Sequence, residues 1–100
     1  MSLEATTQKL RDLFSKGAGF SDTLTFDFGA DGLVTVDGGQ MPPKVSNAPM
    51  ETDCTISVAL EDFNQILEGS LDPQMAFMSG KLSIDGDMGI ALNLAGVLKG

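Results

Sequence analysis

Apolar residues at helical spacing open the chain. Leu3, Leu10, Leu13 and Phe14 fall on one face, which predicts an amphipathic helix over Leu3 to Lys16. Thr6 and Thr7 fill the turn between them. Ser2 is placed to cap the start, and Lys16-Gly17 makes a stop. Gly17-Ala18-Gly19 reads as a flexible corner. Strict alternation follows. Leu24, Phe26 and Phe28 point one way and Thr23, Thr25 and Asp27 the other, which predicts a half-buried strand over Thr23 to Phe28. A turn at Gly29-Ala30-Asp31-Gly32 returns the chain as a second strand, Leu33 to Asp37, so the two form a hairpin. Lys44 to Ser46 has room only for a short edge strand, flanked by Pro43 and Pro49. Asp53 to Val58 alternates again, with Cys54, Ile56 and Val58 on the inner side.

Helical spacing resumes at Leu60, Phe63, Ile66 and Leu67, and Gly69 ends that helix. Ala59 offers no capping oxygen at its start. Asp72-Pro73 opens a shorter helix, with Asp72 as cap and Pro73 at the first helical position, and Gly80 terminates it. Lys81 to Asp85 reads as a strand, Gly86 turns the chain, and Asp87 caps a last helix from Met88 to about Lys99. The pattern predicts one domain over residues 1–100. Its class is α+β, with helices covering one face of a mostly antiparallel sheet. The other face, carrying Thr23, Thr25, Asp27, Asp53, Thr55, Ser57, Ser83 and Asp85, is polar enough to meet water.

The last helix stands apart from this regular picture. From Met88 the chain reads MGIALNLAGVLK, where only Asn93 and Lys99 are polar. A surface helix would carry charge over half its circumference. Either the helix is covered by the domain's own core or by a partner, or its face, with Met75, Met78 and Met88, lines an apolar cavity. Methionine suits a pocket that accepts varied shapes.

Charge and composition narrow the chemistry. The net charge of −8, with six Lys and Arg and no basic run, opposes binding to nucleic-acid phosphates. It equally opposes electrostatic docking on anionic lipid surfaces. With no histidine, a Cys–His or Ser–His–Asp site cannot be built within the chain, and a zinc site lacks its usual ligands. The single cysteine, Cys54, fits a core position and suits a reducing compartment. Asp85-Gly86-Asp87 fails the calcium-loop pattern, because the twelfth position from Asp85 is Gly96 and not glutamate. Turn and capping roles account for these aspartates. No stretch reaches transmembrane length, and no signal peptide or targeting tripeptide is visible, so a cytoplasmic protein is expected.

Asp72-Pro73-Gln74, Ala76-Phe77-Met78, Gly80-Lys81-Leu82, Ile84 and Gly86-Asp87-Met88-Gly89 together resemble the signature of the sterol carrier protein type 2 domain family. Glu61-Asp62-Phe63, Gly69 and the strand over Asp53 to Val58 are similar to that family's pattern as well. The resemblance implies a five-stranded sheet in order 3-2-1-4-5, helices on one face and a lipid tunnel between them. It implies non-catalytic binding, without a cofactor, of a sterol, fatty acid, acyl-CoA or phospholipid, and transfer of it with at most transient membrane contact. Carried onto this chain, it assigns lipid-lining roles to Phe63, Leu67, Met75, Phe77, Met78, Ile84, Met88 and Leu92, with Gln74 at the rim. The last helix, with Gly86, Gly89 and Gly96, is the expected lid. The alternative is an interaction module with a filled core, whose apolar helix serves a homodimer or docks on a partner enzyme.

Overall fold

The computed structural model describes residues 2–15, 22–40 and 43–99, with the backbone alone described for 95–99. The predicted corner at Gly17-Ala18-Gly19 lies outside the described residues, as do Lys16, Met41 and Pro42. Four helices and five strands follow the predicted order: α1 (Leu3–Ser15), β1 (Thr23–Asp27), β2 (Leu33–Asp37), β3 (Lys44–Ser46), β4 (Cys54–Val58), α2 (Leu60–Glu68), α3 (Pro73–Met78), β5 (Leu82–Gly86) and α4 (Met88–Lys99). A single turn of 3-10 helix at Gly29–Asp31 closes the β1–β2 hairpin.

Local chemistry accounts for the helix ends. The Ala5 amide donates to Ser2 Oγ at 3.2 Å, which satisfies one of the free donors that begin α1. Asp72 Oδ1 accepts from the Gln74 amide at 2.9 Å with Pro73 at the first helical position, and Asp87 Oδ1 accepts from the Gly89 amide at 2.8 Å. Gly69 closes α2 at φ 82°, a conformation that costs an L side chain about 1–2 kcal/mol.

The sheet runs in the order β3-β2-β1-β4-β5. Three pairings are antiparallel, and the central one, β1 with β4, is parallel. That parallel pair needs a crossover, because β3 lies at one edge and β4 beyond β1. The crossover runs over the outer face of the sheet. Thr35 Oγ1 on β2 lies 3.1 Å from the Ala48 carbonyl and 2.9 Å from Ser46 Oγ, and Thr25 Oγ1 on β1 lies 2.7 Å from Thr52 Oγ1. The outer face is therefore polar, as its alternation predicts, yet Thr35 is buried and Thr23, Thr25 and Thr55 are half-buried beneath the strap.

The inner face forms continuous cross-strand rows. Val34, Phe26, Ile56 and Ile84 stand opposite one another across four strands. Leu24, Val36, Val45 and Cys54 form the neighbouring row, which ends at Gly86. Helices cover these rows. α1 buries Leu10 and Phe14 together with Thr6 and Thr7, which sequence pattern alone left as fillers. The threonines are buried because polar partners meet them inside. Thr6 Oγ1 donates to Asn64 Oδ1 of α2 at 2.7 Å, and Thr7 Oγ1 donates to the Leu3 carbonyl and accepts from Asn47 Nδ2. Arg11 Nε reaches the Val45 carbonyl at 3.2 Å and fastens α1 to the β3 edge.

Candidate functional site

The sheet and the helices do not close on each other everywhere. Between the inner face of β1, β4 and β5 and the helices α2, α3 and α4 lies a cavity of about 410 Å³. Its floor is Phe26, Ile56, Leu82 and Ile84 from the sheet. Phe63 and Ile66 of α2 form one wall, and Met88, Ala91, Leu92 and Leu94 of α4 form another. Asp72, Pro73, Gln74 and Phe77 close the end beside α3.

Each wall is held by a different cause. Phe63 is fixed by aromatic packing, with its ring 4.8 Å from Phe26 and 5.3 Å from Phe28 between centroids. The α3 wall is set by its cap and by the Lys81 amide, which donates to the Ala76 carbonyl at 2.9 Å and leads the chain into β5. The α4 wall starts at Gly86 and Asp87. Gly86 has φ 112°, and a Cβ there would overlap the Asp53 carbonyl oxygen and stand 3.1 Å from Cys54 Cα. Only glycine lets β5 lie this close to β4 and then turn into α4. α4 packs against α1, α2, β4 and β5 and buries Ile90 and Leu94 in the core. Leu92 is 74% exposed and Met88 48%, and with Phe77 at 44% they surround the open side of the cavity.

Six of the nine sequence-assigned residues meet at this cavity: Phe63, Gln74, Phe77, Ile84, Met88 and Leu92. The other three do not line it. Leu67 packs, partly buried, against the core. Met75 and Met78, on a helix of only six residues, are 60% and 78% exposed. Sequence reasoning missed Phe26, Ile56 and Leu82 of the floor and Ile66, Ala91 and Leu94 of the walls. A signal for the floor existed, since all three strand residues lie on the apolar side of an alternating pattern. Such residues read as core until the helices are seen to stand off from them.

Titration chemistry at the cavity is sparse. Cys54 lies on the row beside the floor, and burial pushes its thiol above the ordinary value, with the Asp87 and Asp85 carboxylates adding to the effect. Among the described residues, no three His, Cys, Asp or Glu side chains converge as a metal site would require. No helix among them is long and apolar enough to cross a membrane.

Comparison with known proteins adds to this geometry. The model of the SCP-2 sterol transfer family matches residues 4–99. Human sterol carrier protein 2 is 46% identical over 48 residues, which is 48% of this chain and 9% of that protein. Peroxisomal multifunctional enzyme A of Dictyostelium discoideum is 39% identical over 69 residues, 69% of this chain and 14% of the enzyme. The matches thus take in only a small part of these longer relatives. Among solved structures, sterol carrier protein 2 of Yarrowia lipolytica in its apo form superposes with a TM-score of 0.71, covering 87% of this chain and 74% of that one at 21% identity. At that identity the likeness is one of fold.

Proposed function

The chain belongs to the SCP-2 sterol transfer family, and from that premise we propose that it is a non-catalytic carrier that shields the hydrocarbon of a lipid in the cavity beneath α4. One observation carries the reading. The cavity of about 410 Å³ is walled almost entirely by apolar side chains and opens past Phe77, Met88 and Leu92. A volume of that size sits within the range of small-molecule sites, roughly 300–1,000 Å³. At about 30 Å³ for each water-sized group, it holds roughly 14 heavy atoms, enough for much of one acyl chain. Each methylene taken from water contributes about 0.8 kcal/mol before ordering costs, so binding needs few specific polar contacts. Phe63, Phe77, Ile84, Met88 and Leu92 meet the hydrocarbon, Gln74 meets the polar end, and α4 moves to admit it.

The test is direct. The purified protein is extracted with organic solvent and the extract examined by mass spectrometry, while a pyrene-labelled long-chain alcohol is titrated into the protein. Saturable binding near one equivalent is expected, and Met88→Glu should reduce it at least tenfold with the circular dichroism spectrum unchanged. Absence of both extractable lipid and saturable binding would sink the carrier reading. A rival rests on Met75 and Met78, which are exposed outside the cavity and suit an apolar docking surface on α3. A tight dimer in sedimentation, lost in Met75→Ser/Met78→Ser, together with absence of lipid binding, would favour that rival.

A further inference from the structure

Resting on the carrier reading above, we infer that the thioether of Met88 is an oxidation site that governs the cavity: a hydroperoxide converts it to the sulfoxide, and the cavity then loses its hold on hydrocarbon. The placement of the sulfur atoms carries this. The four described methionines, Met50, Met75, Met78 and Met88, are all exposed and so open to an oxidant in the water. Of these four, Met88 alone lines the cavity. Met75 and Met78 stand outside it on α3, and Met50 lies beside Thr52 and Thr55 on the outer face of the sheet. Met88 thus belongs to two environments at once, the water that brings peroxide and the apolar wall against which cargo lies. Cys54 competes poorly for the same oxidant. It is 1% exposed, and burial favours its protonated, unreactive form.

The oxidant is an uncharged hydroperoxide. A net charge of −8 disfavours approach of anionic oxidants and leaves hydrogen peroxide unaffected. In the step itself a lone pair on Met88 Sδ attacks one peroxide oxygen, and the S–O bond forms as the O–O bond breaks. Sulfur is oxidised by two electrons. The departing hydroxide takes the proton from the transferred oxygen and leaves as water. A soft apolar sulfur has become a polar, hydrogen-bond-accepting group. The α4 helix survives the change. Met88 is its first residue, its cap is the bond from the Gly89 amide to Asp87 Oδ1, and its core contacts come from Ile90 and Leu94. The damage therefore falls on the cavity wall, where covering the new polar group with hydrocarbon weakens binding by about ten-fold.

Three proteins test the assignment: wild type, Met88→Leu and the double variant Met75→Leu/Met78→Leu. Each is treated with hydrogen peroxide, quenched with catalase and mapped by peptide mass spectrometry. Each is then titrated with the pyrene-labelled alcohol and compared with its own untreated form, so that differences in starting affinity cancel. Oxidised wild type should bind about ten-fold more weakly, with its far-UV circular dichroism unchanged, and the double variant should lose as much. Met88→Leu should lose less than about two-fold on the same treatment. Methionine sulfoxide reductases acting on both epimers should restore the wild-type affinity. Equal weakening in Met88→Leu would overturn the assignment and leave the carrier reading standing. So would sulfoxide at Met88 without loss of binding, a Met88 that stays reduced while Met75 and Met78 react, or a loss of binding that comes from unfolding. Failure of untreated wild type to bind the labelled alcohol would overturn both readings.

Discussion

Gly86→Ala isolates the junction that positions the α4 wall. Two separate costs meet at this residue. Its φ of 112° is a region that L side chains avoid, and the backbone cost alone is about 1–2 kcal/mol. The new methyl must also displace β5 from β4, because its place is held by the Asp53 carbonyl and by Cys54 Cα at 3.1 Å, and both are backbone atoms that cannot rotate aside. Overpacking of that kind adds about 1–3 kcal/mol. Gly69 provides the control. It has φ 82° but open space where a Cβ would go, so Gly69→Ala meets the backbone cost without the overlap. For a domain of this size each kcal/mol lowers Tm by about 4–8 °C. Gly86→Ala should therefore lose roughly 8–40 °C and Gly69→Ala roughly 4–16 °C. The chain has no Trp or Tyr, so the melts are followed by far-UV circular dichroism. Equal losses in the two variants would refute the close β4–β5 approach as the reason for glycine at position 86.

Three further outcomes follow from the core. Phe63→Ala removes the ring that touches Phe26 and Phe28 and should cost about 3–5 kcal/mol in urea denaturation, since a cavity opens beside the existing one; a loss under about 1 kcal/mol would mean that the helix had collapsed into the space. The raised Cys54 thiol gives stability that is fully present below the unfolded value of 9.0 and is lost as pH rises above it toward the higher folded value, so the stability difference between wild type and Cys54→Ala should shrink above pH 9.0 while staying constant below it. Thiol reagents should label the native protein slowly and the urea-unfolded protein fast, and equal rates would contradict burial of the sulfur.

Much of the framework was legible because local chemistry specified it. Asp72-Pro73 and Asp87 named the starts of α3 and α4, and alternation named β1, β2 and β4 to within a residue. The sheet order 3-2-1-4-5 came from family resemblance, since no local pattern states which strands become neighbours. The parallel pairing of β1 with β4 is equally silent in sequence. So is burial of Thr6, Thr7 and Thr35, each of which depends on partners 11 or more residues away, namely Asn64, Asn47 and Ser46. The candidate site divides along the same line. Residues on helix faces near the signature, such as Phe77 and Met88, could be assigned to a cavity. Floor residues such as Ile56 look identical in sequence whether a helix rests on them or stands away. Met75 and Met78 lie outside this cavity, since side-chain softness suggests a pocket but position on a six-residue helix decides which side a residue faces.

The cavity draws its lining from Phe26 in the first strand to Leu94 in the last helix. No single hairpin or helix pair contains it. Closing β1 onto β4 alone joins Leu24 to Cys54 across 30 residues, at a chain-entropy cost of roughly 3 kcal/mol. The pocket is therefore a property of the completed fold, and a partly folded chain has nothing equivalent to offer. A molecule held there is linked to the global unfolding equilibrium, and at a hundredfold excess over its Kd it would raise stability by about 2.7 kcal/mol. Occupancy would then slow turnover of the whole chain by proteases, and the loaded and empty forms would differ in lifetime as well as in cargo.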